Sequence, residues 1–262
     1  REIRAAFPAM RAREMEVAAT RTLVRGPSPF APKEPDPAPG TVRLHADAVN
    51  DFQATYMPAS RLGTPVAMIP VNMAEATARA LARVEQSHGP VDEFVARSLD
   101  MTTHEMAKVL SPEQVDAVAM ALDAIGRGRE FILADQTGLG KGRVLAAVAL
   151  AGIVAGRNVV FITEKANLFS DFWRDASDTG AAARFGKPFL LNADSRIIDV
   201  TSADGRPLFE AERPDAIRRH IRAGRMPEGH RLMMTTYSQF NRAGSAKGEF
   251  LAAVARDALV IS

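Results

Sequence analysis

The chain has 262 residues, and 47% of them are apolar, which is enough for one large domain or two modest ones with a real core. The formal net charge of +2 permits a nucleic-acid partner but does not indicate one. The absence of cysteine excludes disulfides, thiolate catalysis and Cys-ligated zinc. The lack of cysteine also fits a reducing cytoplasm, where we expect this protein. No apolar run approaches the roughly 20 residues that span a bilayer, so we expect no membrane partner.

The first 40 residues are predicted to be an arm that ends in a linker. Residues 1–25 alternate apolar and charged side chains loosely, which is compatible with an amphipathic helix. Residues 26–40 contain six prolines, which remove amide donors and favour extended conformations. We therefore place the first domain boundary at the end of this segment.

Residues 41–110 are predicted to form a small helical accessory region. Its first part, residues 41–71, has no regular pattern. The stretch that begins at Tyr56 is either a ligand contact or a surface loop anchored by that tyrosine. The predicted helices are 73–86, capped by Asn72 and Glu75, then 91–99, and a third that starts at Thr102 and Glu105.

Another helix is predicted to begin at Ser111 and Pro112, with apolar residues at helical spacing on one face. Gln114 has two compatible interpretations. In the first it closes a capping box with Ser111, and Pro112 occupies the first helical position. In the second it recognises the adenine edge of a nucleotide, as a glutamine upstream of the nucleotide-binding loop does in many helicases.

The middle of the chain carries the strongest motif. Residues 131–134 are predicted to be a short buried strand, followed by Gln-Thr-Gly-Leu-Gly-Lys-Gly-Arg and a helix over residues 144–154. This is the order of a P-loop, in which glycine amides and the helix N-terminus surround a phosphate chain. Lys141 would reach the β- and γ-phosphates. The alternative is a glycine turn with an incidental lysine, because Asp135 and Gly142 depart from G-x-x-x-x-G-K-[ST].

The rest of the chain alternates short apolar strands with helices. The predicted strands are residues 158–163, 188–191, 231–236 and 258–261, and the predicted helices are residues 166–177, 212–222 and 247–255. Strands separated by helices require right-handed crossovers, which gives a mainly parallel sheet with helices on both faces. The predicted fold class is therefore α/β, and ligands of such sheets bind at the carboxyl ends of the strands.

The order of these segments resembles the first RecA-like lobe of a superfamily-two helicase or translocase. The loop Asp-Gln-Thr-Gly-Leu-Gly-Lys-Gly-Arg resembles that of the strawberry notch family in particular. The branch found in bacteria, phages and plasmids, where such lobes can be joined to DNA methyltransferase domains, is the most similar. The other similar motifs are Tyr-Met-Pro-Ala-Ser (56–60), Pro-Val-Asn-Met-Ala (70–74), Leu-Ser-Pro-Glu-Gln-Val-Asp-Ala (110–117), Val-Phe-Ile-Thr-Glu-Lys-Ala-Asn-Leu (160–168) and Thr-Thr-Tyr-Ser-Gln (235–239).

The resemblance implies that residues 111–262 form a RecA-like P-loop NTPase lobe that binds ATP and Mg²⁺. Lys-Gly-Arg is the family's usual loop ending, so magnesium would be held by water, phosphate oxygens, the Thr137 hydroxyl and an acidic residue elsewhere. Arg143 either aids phosphate binding or is a solvated arginine at the start of a helix. The residues expected to bind the nucleotide are Gln114, Gln136, Thr137, Gly138, Leu139, Gly140, Lys141, Gly142 and Arg143, with Lys141 as the catalytic residue.

The same resemblance implies that two strand ends bind DNA or RNA. Hydroxyls and a lysine at strand ends suit phosphate contacts, which position a nucleic acid without reading its sequence. The alternative is helix capping by the hydroxyl groups. The arginine-rich helix around Arg218 is either a further contact or a charged helix face. The predicted contacts are Thr163, Glu164, Lys165, Thr235, Thr236 and Ser238.

In this class, hydrolysis requires an Asp-Glu pair, and we expect it to follow the strand at residues 258–261, where the chain ends. We therefore expect a fragment that binds nucleotide weakly and does not hydrolyse it, cut from a parent that does. The first hypothesis is an ATP-dependent motor on nucleic acid. The second is a non-motor nucleotide-binding or structural platform of a methyltransferase-linked defence or anti-restriction assembly. A kinase of small substrates ranks lowest, because Thr163 and Thr235 have no role there.

Overall fold

The structure is a computed structural model that describes residues 53–65, 67–134, 140–200, 204–242 and 244–262. The predicted arm and linker, residues 1–40, lie outside this part, as do Asp135 and the loop residues 136–139. The strands are β1 (Gln53–Thr55), β2 (Met68–Pro70), β3 (Asn158–Thr163), β4 (Phe189–Leu190), β5 (Arg196–Ile198), β6 (Pro207–Glu210), β7 (Leu232–Thr236) and β8 (Ala258–Ile261). The helices are α1 (Val71–His88), α2 (Val91–Leu99), α3 (Thr103–Met106), α4 (Pro112–Gly126), α5 (Lys141–Val154), α6 (Leu168–Asp178), α7 (Ala182–Phe185), α8 (Pro214–Ala223) and α9 (Ala246–Ala255).

The central sheet has four strands in the order β4-β7-β3-β8, and every neighbouring pair is parallel. In the register of the two inner strands, Thr163 at the end of β3 lies opposite Thr236 at the end of β7. Since a helix or a longer connection lies between successive strands, the predicted parallel sheet is confirmed. All four strands end at one edge of the sheet, where α/β proteins bind their ligands.

Alternating side chains of the sheet strands pack into two separate hydrophobic cores, one on each face of the sheet. On β3, Val159 and Phe161 pack into a core shared with α1, α2, α4, α5 and α6. Val160 and Ile162 point to the opposite face and pack with residues of α8 and α9. Because period-two burial on both sides needs helices on both sides, this pattern explains the layered fold that the sequence predicts. The helices α1, α2 and α4, which precede the P-loop region, belong to the first of these cores.

The start of the described chain is more regular than the sequence analysis predicts. Instead of an irregular segment, β1 and β2 form an antiparallel pair, and the short antiparallel pair β5–β6 was also not predicted. The predicted cap by Asn72 and Glu75 is wrong, because α1 starts at Val71, two residues earlier than predicted and directly after β2. The extended backbone of Pro70 therefore serves as the helix boundary, without a side-chain cap.

The predicted strand at residues 131–134 is also wrong. These residues have no strand pairing, and Ile132 is 84% exposed. Their side chains still alternate, since Phe131 and Leu133 pack against the first core while Ile132 and Ala134 face outwards. An apolar alternating run becomes a strand only where a neighbouring backbone offers hydrogen bonds, and here the segment covers the core without such a neighbour.

Helix α4 is tied to the preceding loop by a buried carboxylate. Asp116 is fully buried and accepts hydrogen bonds from the Tyr56 hydroxyl (2.9 Å), the Ala59 amide (2.9 Å) and the Ser60 amide (2.9 Å). Burial raises the pKa of Asp116 to about 6, although these three hydrogen bonds oppose the rise. Tyr56 therefore anchors its loop to the core.

No helix within the described ranges combines the length and apolar character that crossing a membrane requires.

Candidate nucleotide-binding site

Helix α5 begins where the sequence places the P-loop lysine. Lys141 is its first residue, and the preceding Gly140 has a φ of +73°, in the left-handed region that favours glycine. A Cβ on Gly140 would also overlap Nε2 of Gln114. Most residues from Val144 onwards are buried small or branched side chains, so packing fixes the axis of the helix and thereby the position of its first turn.

Gln114 forms the capping box that the first interpretation requires. Its backbone amide donates to the Ser111 hydroxyl (3.4 Å), and the Ser111 amide donates to its side-chain Oε1 (3.0 Å). The side-chain Nε2 of Gln114 donates to the Gly140 carbonyl (3.4 Å), which links α4 to the start of the P-loop helix. The capping interpretation is thus confirmed, and the adenine contact stays a prediction.

The first turn of α5 packs closely against α6. Gly142 leaves no room for a side chain, because a Cβ there would overlap Oδ2 of Asp175 and lie 2.7 Å from its Cγ. Arg143 donates to Asp178 (3.1 Å) and to the Val109 carbonyl (3.2 Å). This arginine therefore joins three parts of the protein, and it is only partly exposed rather than fully solvated.

A cavity of about 630 Å³ opens beside the start of α5. Cavities of this size hold small ligands such as nucleotides. The lining combines apolar side chains with polar side chains of α4 and the P-loop helix. The apolar residues include Met68, Ile69, Pro70, Met73, Met120 and Ile132, and the polar residues include Ser111, Glu113, Gln114 and Arg143.

The predicted nucleic-acid residues lie at the ends of two adjacent strands. Thr163 and Thr236 face each other across β3 and β7, so the two segments are brought together. Glu164 and Lys165 are exposed, with 3.9 Å between Oε1 of Glu164 and Nζ of Lys165. Ser238 is exposed as well. Thr163, Thr235 and Thr236 are buried.

Helix capping does not explain these hydroxyl groups. Helix α6 has Asn167 at its N-cap without a side-chain hydrogen bond, and the 3₁₀ turn Tyr237–Gln239 has no side-chain cap either. The Thr236 hydroxyl instead accepts from Asn192 (2.8 Å) and pairs with the Ser238 hydroxyl (2.9 Å). The capping alternative is therefore wrong.

Asn192 is a residue that the sequence analysis missed. It follows β4, the neighbour of β7, and its Oδ1 accepts from the Thr236 amide (3.2 Å) and the Thr235 hydroxyl (3.4 Å). Nearby, Lys247 donates to the Leu191 carbonyl (3.4 Å) and to Gln239, and burial lowers the pKa of Lys247. An asparagine directly after an apolar strand was the available signal. The sequence contained no comparable signal for the buried Asp116 or the partly buried Asp175.

Within the described residues, no group of three or more histidine, aspartate or glutamate side chains is placed to hold a metal ion. The predicted metal residue Thr137 and the loop residues Gln136, Gly138 and Leu139 lie outside this part of the chain. Of the predicted nucleotide site, the structure brings together Gln114, Gly140, Lys141, Gly142 and Arg143 at one end of α5.

The parallel sheet with helices on both faces, and a helix that starts at Gly-Lys-Gly-Arg, define a RecA-like α/β protein of the P-loop NTPase class. A comparison with protein families agrees, matching residues 75–247 to the family described as "P-loop containing NTP hydrolase pore-1". The chain belongs to this family, and nucleotide binding is its class property. Comparisons with curated proteins and with solved structures gave no match.

Proposed function

We propose that this chain is the ATP-binding lobe of a helicase or translocase of superfamily two, of the strawberry notch type. The observation that carries the proposal is the cavity beside the first turn of α5. ATP combines a charged phosphate chain with a flat, largely apolar base. A helix N-terminus with a lysine, beside a cavity that many apolar side chains line, offers a partner for each part.

In this proposal, Lys141 and the amides at the start of α5 bind the phosphates, and Arg143 supports that turn through Asp178 and Val109. The base enters the cavity and contacts its apolar side chains, near Gln114. Magnesium, when bound, neutralises phosphate charge and stabilises the charge that develops during phosphoryl transfer. The chain's own task is to hold the phosphates against the helix.

ATP binding tests this first part. Replacing Lys141 by alanine removes a charge-assisted contact of about 1.5–3 kcal/mol, which corresponds to roughly 10–100-fold in affinity. We expect that loss in a calorimetric titration with a non-hydrolysable ATP analogue. Lys108→Ala is the matched control, since Lys108 is an exposed lysine between α3 and α4. Equal affinities of the two variants would refute the phosphate site.

The motor assignment rests on the two adjacent strand ends. In the proposal, Lys165 and Ser238 contact a DNA or RNA backbone, while Asn192 and the buried threonines hold the strand-end loops in place. Parallel strands deliver both segments to the edge where α/β proteins bind ligands. Phosphate contacts of this kind position a strand without sequence preference.

The salt dependence of binding tests the nucleic-acid contact. We expect Lys165→Ala to weaken binding of single-stranded DNA or RNA and to reduce the slope of log K against log salt by about one. Lys187→Ala is the control, because Lys187 precedes β4 and lies at the opposite end of a parallel strand. If both variants keep the wild-type slope, the strand ends do not bind the backbone.

The non-motor alternative is favoured by one observation. The hydroxyls of Thr235 and Thr236 are buried and bonded to Asn192, so they have a structural role whether or not nucleic acid binds. A platform for a methyltransferase domain or another subunit needs only this rigid edge and a bound nucleotide. ATP hydrolysis that does not respond to DNA or RNA, in a protein that binds ATP through Lys141, would favour the platform over the motor.

A further inference from the structure

The P-loop helix has a glycine where most P-loops carry a hydroxyl that ligates magnesium. Gly142 is the second residue of α5, and a Cβ at this position would overlap Oδ2 of Asp175. The space of the usual Ser or Thr side chain is therefore occupied by a carboxylate from a different helix. The side chain of Asp175 thus fills the space that the absence of a side chain at Gly142 leaves open.

The carboxylate of Asp175 is held in a defined orientation. Both hydrogen bonds from Arg174, through Nε (3.1 Å) and Nη2 (3.0 Å), go to Oδ1. Oδ2 is the atom that lies closest to the position a Gly142 Cβ would take. Arg174 is itself steadied by Asp171 (3.1 Å), and its pKa is raised by the hydrogen bond with Asp175. The side chain of Asp175 is only 18% exposed.

The negative charge of Asp175 affects which ligands can bind beside the first turn of α5. A carboxylate beside the phosphate-binding turn repels bare phosphates, although the N-terminus of a helix attracts them. The same carboxylate becomes favourable when a divalent cation accompanies the phosphates. Mg²⁺ takes oxygen ligands and is commonly held by one or two carboxylates, substrate phosphates and water.

We propose that Asp175 replaces the missing hydroxyl at position 142 as the oxygen partner of the nucleotide's magnesium, directly or through a metal-bound water. This inference rests on the proposed ATP site at Lys141. The residues present fit this role, because glycine at position 142 leaves open the space that the Asp175 carboxylate fills.

The experiment measures affinity for the analogue AMPPNP by calorimetry, with Mg²⁺ and with EDTA, on the full chain. Asp175→Asn keeps the shape of the side chain and removes its charge. We expect wild type to bind more tightly with Mg²⁺, and Asp175→Asn to lose roughly tenfold or more of that gain, the range seen when a metal site loses a supporting group. Affinity in EDTA should stay equal or rise.

Asp215→Asn is the matched control, because Asp215 also pairs with an arginine of its own helix, Arg218, but that helix packs on the opposite face of the sheet. This variant should keep the full magnesium gain. If Asp175→Asn also keeps it, or binds more tightly by the same factor with and without Mg²⁺, the carboxylate is a packing or repulsive group and the inference is overturned. If wild type binds no AMPPNP under either condition, the proposed ATP site fails instead. Thermal unfolding without nucleotide confirms that each variant folds.

Discussion

Replacing Gly142 by alanine tests the close packing of α5 and α6 without any ligand. An alanine at this position should favour the helix by up to about 1 kcal/mol if its surroundings were open. The structure predicts the opposite sign, because the added Cβ would overlap Oδ2 of Asp175 and lie 2.7 Å from Cγ and 3.3 Å from Cβ.

The cost follows from what has to move. Rotating the carboxylate away breaks its two hydrogen bonds with Arg174, and moving the backbone instead separates α5 from α6. Overpacking of this kind costs about 1–3 kcal/mol. For a domain of this size that corresponds to a fall in Tm of roughly 2–4 °C for each kcal/mol.

A double-mutant cycle isolates the contact. Urea unfolding is measured for wild type, Gly142→Ala, Asp175→Ala and the double variant. In the Asp175→Ala background the obstacle is gone, so Gly142→Ala should be neutral or stabilising. The coupling free energy between the two sites should therefore be about 1–3 kcal/mol.

Two results would refute this reasoning: a stabilising effect of Gly142→Ala in the wild-type background, or an equal destabilisation in both backgrounds. The same geometry predicts that Gly142→Ser does not restore a common P-loop, since serine brings the same Cβ.

Three further predictions concern the surroundings of the site. The pKa of Asp116 is raised from 3.8 to about 6. Because the folded protein holds this proton more tightly than the unfolded chain, the stabilising contribution of Asp116 is fully present below pH 3.8. It is lost as the pH rises through about 6, which lowers the free energy of unfolding by about 3 kcal/mol. This change should appear in the difference between wild type and Asp116→Leu, measured by urea unfolding from pH 4 to 8, and a flat difference would contradict it. Tyr56→Phe removes a hydroxyl donor from the Asp116 carboxylate and should cost about 1.5–3 kcal/mol at pH 8, less at pH 4.5; an effect below 0.5 kcal/mol at pH 8 would show that the bond contributes little. Gly140→Ala combines a positive φ with an overlap at Gln114, so it should weaken AMPPNP binding and lower Tm, whereas Gly156→Ala, at a positive φ with no atom near its Cβ, should lower Tm alone.

Local patterns were sufficient to predict most of the elements. The bounds of β3, β8 and α2 agree with those predicted from the sequence, and the capping boxes at Thr102 and Ser111 are present. These features depend on residues three or four positions apart or on a short apolar period, so the information is contained within each segment. The parallel sheet follows from the alternation of strands and helices.

Such local patterns could not predict contacts between segments that are far apart in the sequence. Tyr56 and Asp116 are 60 positions apart, and Asn192 and Thr236 are 44 apart. The insertion of Asp175 beside Gly142 depends on how α6 lies against α5. A sequence shows which residues are apolar and which backbones favour a helix or strand, but not which polar side chain meets which backbone.

The sequence by itself thus determined the class of this protein, because the glycines, the lysine and the strand and helix order are local properties with a known chemical use. Only the tertiary structure decided that residues 131–134 lie outside the sheet, that the Thr163 and Thr236 ends lie side by side, and that a carboxylate occupies the place of the missing hydroxyl. The physical reason is that packing of whole elements sets these distances, and no single segment contains both partners.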